Sequence, residues 1–154
     1  MDIIYSDQPI VELLDLARPS VFLVGPTPRS SKVESWRPSA ISHLKSLGYN
    51  GQVLVPERIV KAKHINYDDQ VEWEDYGLEN CTVIACWVPR DLETMPAFTT
   101  NVEFGRFVAS KRMLYGRPEH APKNRYLDWL YKKHNKTTPI YSELFPLMEA
   151  ASKL

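Results

Sequence analysis

The chain has little of most features that announce a partner or a compartment. Neither sign of charge predominates: 19 Lys+Arg stand against 19 Asp+Glu in 154 residues, with a pI near 6.9. Long-range attraction to a nucleic acid polymer or an anionic membrane therefore has no source in the chain as a whole. No apolar run approaches the roughly 20 residues that cross a bilayer, and the longest, Cys81 to Val88, suits a buried strand. Met1 to Asp7 lacks a basic stretch followed by an apolar one, so no secretory signal is expected. Cysteine is scarce. Cys81 and Cys86 are five apart in one strand-like run, which puts them on opposite faces, unable to bridge or to share a metal. Two free thiols suit a reducing compartment, and a cytoplasmic location is expected. His43, His64, His120 and His134 show no i,i+3 or i,i+4 spacing, so no metal site is expected. The P-loop spacing GxxxxGK[ST] and the dinucleotide fingerprint GxGxxG are both missing, and nothing else calls for a cofactor.

What is present is alternation. Val21–Val24 and Gln52–Val55 are short β-rich runs, too apolar to alternate, as strands buried on both faces are. Cys81–Val88, stopped by Pro89, and Arg112–Gly116 read the same way. Between them, residues 38–47, 68–78 and 100–110 carry helical spacing, with Val71, Tyr76 and Leu78 expected inward in the second and Val102, Phe107 and Val108 in the third. Residues 124–134 and 142–152 add two further helices, and Ile3–Tyr5 opens the chain as a short strand before a helix through Leu13. Strands alternating with helices predict an α/β fold: one domain over residues 1–154, with a mostly parallel four- or five-stranded sheet and helices on both faces, flavodoxin-like or Rossmann-like. Such sheets bind ligands beyond the carboxyl ends of their strands. Three loops lie there, spanning residues 25–35, 56–67 and 89–101.

The first loop carries Gly25, Pro26, Arg29, Ser30 and Ser31. Glycine permits close backbone approach, and Arg29 with the hydroxyls can donate to ligand oxygens, although a stiff solvated turn fits equally well. The third leads into Thr100-Asn101-Val102-Glu103. Glu103 is expected in the first turn of its helix, where the helix dipole favours a carboxylate. Thr100 with Glu103 also matches a capping box, which needs no function at all.

Taken in order, VFLVGPTPR, QVEWEDYGLENC, VIACWVPRD and TTNVEFG resemble the nucleoside 2-deoxyribosyltransferases and their relatives, among them nucleoside 5′-monophosphate N-glycosidases, over roughly residues 21–116. The resemblance implies that Glu103 is the nucleophile. A carboxylate suits that chemistry, because breaking an N-glycosidic bond leaves an oxocarbenium-like sugar that an anion can stabilise or trap as an ester. The departing base needs a proton, so a second acidic group should face the first. In the family aspartates serve here, one before the central strand and one in the loop before the nucleophile.

The chain departs from that pattern. Near the first position it offers Glu72, Glu74 and Asp75, of which Glu74 beside Trp73 matches a W-E element of this branch. In the loop, Asp91 lies twelve residues before Glu103, farther than the usual aspartate. Asn101 is placed to hold the Glu103 carboxylate or a sugar hydroxyl, or simply to begin the helix. Trp73 and Trp87 are candidates to stack on a base, with core packing the alternative for Trp87. Residues 116–126 form a basic, proline-bearing loop that can close over the site or reach a neighbouring subunit.

The expected function is cleavage of a (deoxy)nucleoside with transfer of the sugar to another nucleobase. The alternatives are hydrolysis of a nucleoside 5′-monophosphate, with Arg29, Ser30 and Ser31 on the phosphate, and a non-catalytic nucleotide-binding module. The resemblance implies a small-molecule nucleoside or nucleotide partner and a homodimer or larger homo-oligomer.

Overall fold

A computed structural model of the chain describes residues 1–59 and 66–154. Five parallel strands form one sheet: β1 (Asp2–Tyr5), β2 (Ser20–Val24), β3 (Gln52–Val55), β4 (Val83–Trp87) and β5 (Met113–Gly116), in the order β1-β3-β2-β4-β5. β2 lies at the centre, paired with β3 through Ser20↔Gln52 and with β4 through Val21↔Val83. Every residue of β2, β3, β4 and β5 is buried, as expected of runs too apolar to alternate. Only the edge strand β1 has exposed positions.

Helices cover both faces. On one, α2 (Arg37–Ser46) and α6 (Leu144–Ala151) pack Ala40, Leu44, Leu147 and Met148 against Val21, Leu23, Val53 and Ala85. On the other, α1 (Ile10–Leu13), α3 (Tyr67–Asn80), α4 (Phe98–Phe107) and α5 (Arg125–His134) meet Phe22, Leu54, Ile84 and Tyr115. The residues one apart along β2 and β4 divide cleanly between the two layers, which is the strand period at work. No helix among the described residues is long and apolar enough to cross a membrane.

Three local expectations are corrected. β4 starts at Val83, two residues late, because Cys81 closes α3 by donating its N–H to the Gly77 carbonyl. Cys81 and Cys86 therefore share one core layer instead of opposite faces, both as free thiols. In α3 the inward residues are Trp73, Gly77 and Leu78, while Val71 is 44% exposed. Gly77 is required there, since a Cβ would fall 2.6 Å from the Phe22 ring. In α4 the helix begins at Phe98, not Thr100, so Phe104 and Phe107 pack while Val102 is 64% exposed.

The chain runs from β2 outward to β3, then returns across β2 to β4. That reversal leaves a crevice between the carboxyl ends of β2 and β4, the place where open parallel sheets accept ligands. The loops after β2 and β4 and the described ends of the loop after β3 meet there. Residues 60–65, including His64, lie outside the described residues.

Candidate active site

A cavity of about 790 Å³ occupies the crevice. Its walls come from the loop after β2 (Gly25 to Ser31), from Pro56 to Arg58 after β3, from the outer face of α3 with Gln70 and Glu74, and from the start of α4 with Glu103.

The β2 loop is bound tightly to what lies beneath it. Gly25 has φ +156°, and a Cβ there would sit 2.1 Å from the Trp87 carbonyl oxygen and 2.7 Å from the Trp36 ring. No other residue fits without moving the end of β4. Arg37, the first residue of α2 and 1% exposed, lies under the loop. Its Nε donates to the Leu23 carbonyl (3.1 Å), Nη2 to the Gly25 carbonyl (2.6 Å), and Nη1 to Thr27 Oγ1 (3.0 Å) and Glu57 Oε1 (2.7 Å). Its guanidinium also stacks on Trp36 at 4.9 Å. One side chain thus ties the loops after β2 and β3 together. Arg29 joins the loops after β2 and β4: its N–H donates to the Thr94 carbonyl (2.9 Å), and its guanidinium lies 5.2 Å from the Phe98 ring centre.

α4 starts in a strained turn. Ala97, its N-cap, has φ 62° and ψ 40°, a left-handed conformation that disfavours alanine by about 1 kcal/mol. Buried Arg90 holds this turn: Nη1 donates to the Pro96 carbonyl (2.9 Å), Nη2 to Asn101 Oδ1 (2.6 Å) and Nε to Asn124 Oδ1 (3.2 Å). Asn101 is therefore spoken for by Arg90 and does not line the cavity. Because α4 begins at Phe98, Thr100 lies within its first turn instead of capping it, and Glu103 falls in the second turn, beyond the reach of the helix dipole. The capping-box reading and the first-turn placement both give way to this geometry.

Glu103 and Glu74 line the same cavity, each partly buried. Burial pushes the Glu103 carboxyl up to about 7, the neighbouring Glu74 adds to the rise, and Arg37 and Arg106 oppose it. Burial raises Glu74 as well, against a hydrogen bond from Gln70 Nε2 (3.0 Å) and the charge of Arg37. Gln70 Oε1 in turn accepts from Arg58 (3.0 Å). Two carboxyls raised by burial in one cavity, one of them further raised by the other, form an arrangement in which acid and nucleophile roles can separate.

The other sequence-derived candidates divide. Gly25, Pro26, Arg29 and Ser30 line the cavity. Trp73 does not: its ring packs at 5.8 Å on Phe22, its indole N–H donates to the Gln8 carbonyl, and it is 6% exposed. Trp87 is likewise a core residue. Asp91 stands outside the cavity on an exposed turn, where Oδ1 accepts from Thr94 N (2.7 Å), Thr94 Oγ1 (2.8 Å) and Glu93 N (3.1 Å). Those bonds hold its carboxyl below the usual carboxylate range, the wrong direction for a proton donor. The basic loop after β5 is anchored by Arg117, paired with Asp128 on α5 at 2.7 Å, and does not reach the cavity.

Arg37, Glu57, Gln70 and Arg90 are the residues that sequence reasoning missed. Arg37 carried a signal, since a cation in the first turn of a helix opposes the dipole and asks for an explanation. Arg90 carried none beyond its place after the strand. Among the described residues no group of acidic, histidine or cysteine side chains could hold a metal.

The sequence family described as nucleoside 2-deoxyribosyltransferase like matches residues 18–121, more than half of the chain, and the chain belongs to that family. No curated protein matches it.

Proposed function

We propose that this member of the nucleoside 2-deoxyribosyltransferase-like family cleaves the N-glycosidic bond of a nucleoside through a glycosyl ester on Glu103 and passes the sugar to a second nucleobase. Family membership supports glycosyl transfer in general. The observation that carries the specific reading is the carboxyl pair Glu74–Glu103 in one cavity at the sheet's reversal.

In this reading the ionised Glu103 oxygen bonds to the anomeric carbon as the carbon–nitrogen bond breaks. The electron pair of that bond leaves with the base, which takes the proton of Glu74. Glu74, now a carboxylate, accepts a proton from the incoming base while its nitrogen displaces Glu103 from the sugar. Positive charge developing on the sugar favours the ionised form of Glu103, and the like charge of Glu74 keeps a proton on the pair until it is needed. Phe98, 68% exposed at the cavity wall under Arg29, is the aromatic surface best placed to meet a base.

Arg29, with Thr27, Ser30 and Ser31 beside it on the cavity wall, favours a second reading, hydrolysis of a nucleoside 5′-monophosphate with the phosphate on this loop. Incubation with deoxynucleosides plus free adenine, and separately with nucleoside monophosphates, separates the two. Base exchange without any phosphate requirement supports transfer, and free base from monophosphates alone supports hydrolysis. Binding with no cleavage of either set would leave the non-catalytic module. The proposal includes a homo-oligomer, since Tyr67, Phe98 and Val102 present apolar surface at the mouth of the cavity.

A further inference from the structure

The floor of the cavity holds an ion pair whose role the catalytic reading leaves open. Arg37 and Glu57 meet at 2.7 Å, one fully buried and the other 22% exposed, and both line the cavity with Glu74 and Glu103. Three carboxyls thus share the cavity with a single buried guanidinium, and all three feel its charge. A guanidinium does not give up its proton, so its charge is permanent. Glu57 is drawn to it through one oxygen, Oε1, which also accepts from Ser35 Oγ (2.6 Å).

The other charged groups nearby have bonding partners of their own, although the charge of Arg106 also acts on Glu103. Arg106, one turn along α4 from Glu103, pairs with Asp75 at 2.5 Å and with Glu79 at 3.3 Å on α3. Arg58 is bonded to Gln70 on the far side of Glu74, and Arg29 lies over Phe98 at the mouth. From β4 beneath, the Cys86 thiol is pushed well up by burial and stays neutral. Tyr67 contributes a phenol at the wall.

We propose that Arg37 is a positioning residue which supplies the charge the Glu74–Glu103 pair works against, and that Glu57 tempers it, so the Arg37–Glu57 ion pair sets the pH at which the site carries a carboxylate. The link to activity rests on the reading of Glu103 as nucleophile, while the electrostatic claim stands without it. The four hydrogen bonds of Arg37, one to the end of β2 and three to loop atoms, fix the place of that charge, which a flexible lysine would not.

The test is a carbon-13 NMR titration of the full chain labelled at glutamate side-chain carboxyls, with the Glu103 signal assigned by its loss in Glu103→Gln. Arg37→Gln removes a positive charge and is expected to raise the Glu103 midpoint by about one pH unit; Glu57→Gln removes a negative one and is expected to lower it by a smaller amount. A purely structural ion pair would move both variants in one direction or leave both in place, and either result overturns the proposal. Should Arg37→Gln not fold, Glu57→Gln decides alone: a lowered midpoint supports the inference, an unchanged or raised one removes it. The titration needs no substrate. Opposite shifts in a chain that cleaves nothing would support this inference while removing the enzymatic reading.

Discussion

Two charged clusters sit near the carboxyl edge of the same sheet, and they are built on opposite plans. Beside β5, Asp128 accepts from Arg117 through Nε (3.0 Å) and Nη2 (2.7 Å) and from the Tyr115 hydroxyl (3.1 Å), so one anion meets one cation and a neutral donor. Beside β2, Glu57, Glu74 and Glu103 share a cavity with one buried guanidinium. The first cluster balances and needs no ligand. In the second, burial first and the neighbouring Glu74 next push the Glu103 carboxyl up to about 7, against the partial compensation of Arg37 and Arg106. A satisfied polar network specifies structure, whereas an unbalanced one in a cavity marks where chemistry is done.

Breaking each cluster should therefore give opposite results. The largest effect expected is on turnover: Glu103→Gln lowers glycosidic cleavage by at least about a thousandfold, measured by base release, while the fold persists. In the balanced cluster, Asp128→Ala strands the partly buried Arg117 and is expected to cost about 2–3 kcal/mol by urea denaturation, with turnover per folded molecule retained.

The sign of the stability change at Glu103 sharpens the contrast. Its folded value near 7 lies above its ordinary value of 4.5, so the folded state binds the extra proton. Stability contributed by this group is fully present below about pH 4.5 and declines as pH rises to about 7. Glu103→Gln should remove that decline and make the protein more stable at pH 8 by on the order of 2 kcal/mol, read as a raised Tm. A residue whose removal stabilises the fold and abolishes turnover is retained for function. Ala97→Gly relieves a left-handed alanine and is expected to add about 1 kcal/mol by the same assay. Smallest of all, Arg106→Ala breaks exposed bridges to Asp75 and Glu79 and should cost less than about 1 kcal/mol.

The parallel sheet was legible because β2, β3, β4 and β5 are apolar without alternation, a pattern that only strands covered on both faces require. The crevice followed from topology. Helix starts were harder to read: a hydroxyl at Thr100 resembles a cap, but the chain turns earlier, at Ala97, because Arg90 holds Pro96 and Asn101 from outside the helix. That contact spans sequence distances no local pattern records. The same holds at Arg37, whose four acceptors come from the end of β2 and from the loops after β2 and β3. Trp73 was misplaced for a simpler reason. Adjacent helix positions point about 100° apart, so the residue beside a cavity-lining Glu74 turns toward the sheet.

The central claim is that Glu103 meets an anomeric carbon. Intact-mass spectrometry after brief, rapidly quenched exposure to a mixture of deoxynucleosides, followed by peptide mapping, tests it directly. The account predicts a single pentosyl adduct on Glu103 that is absent from Glu103→Gln. Cleavage proceeding with no adduct on that residue, or an adduct mapped to another side chain, would contradict it.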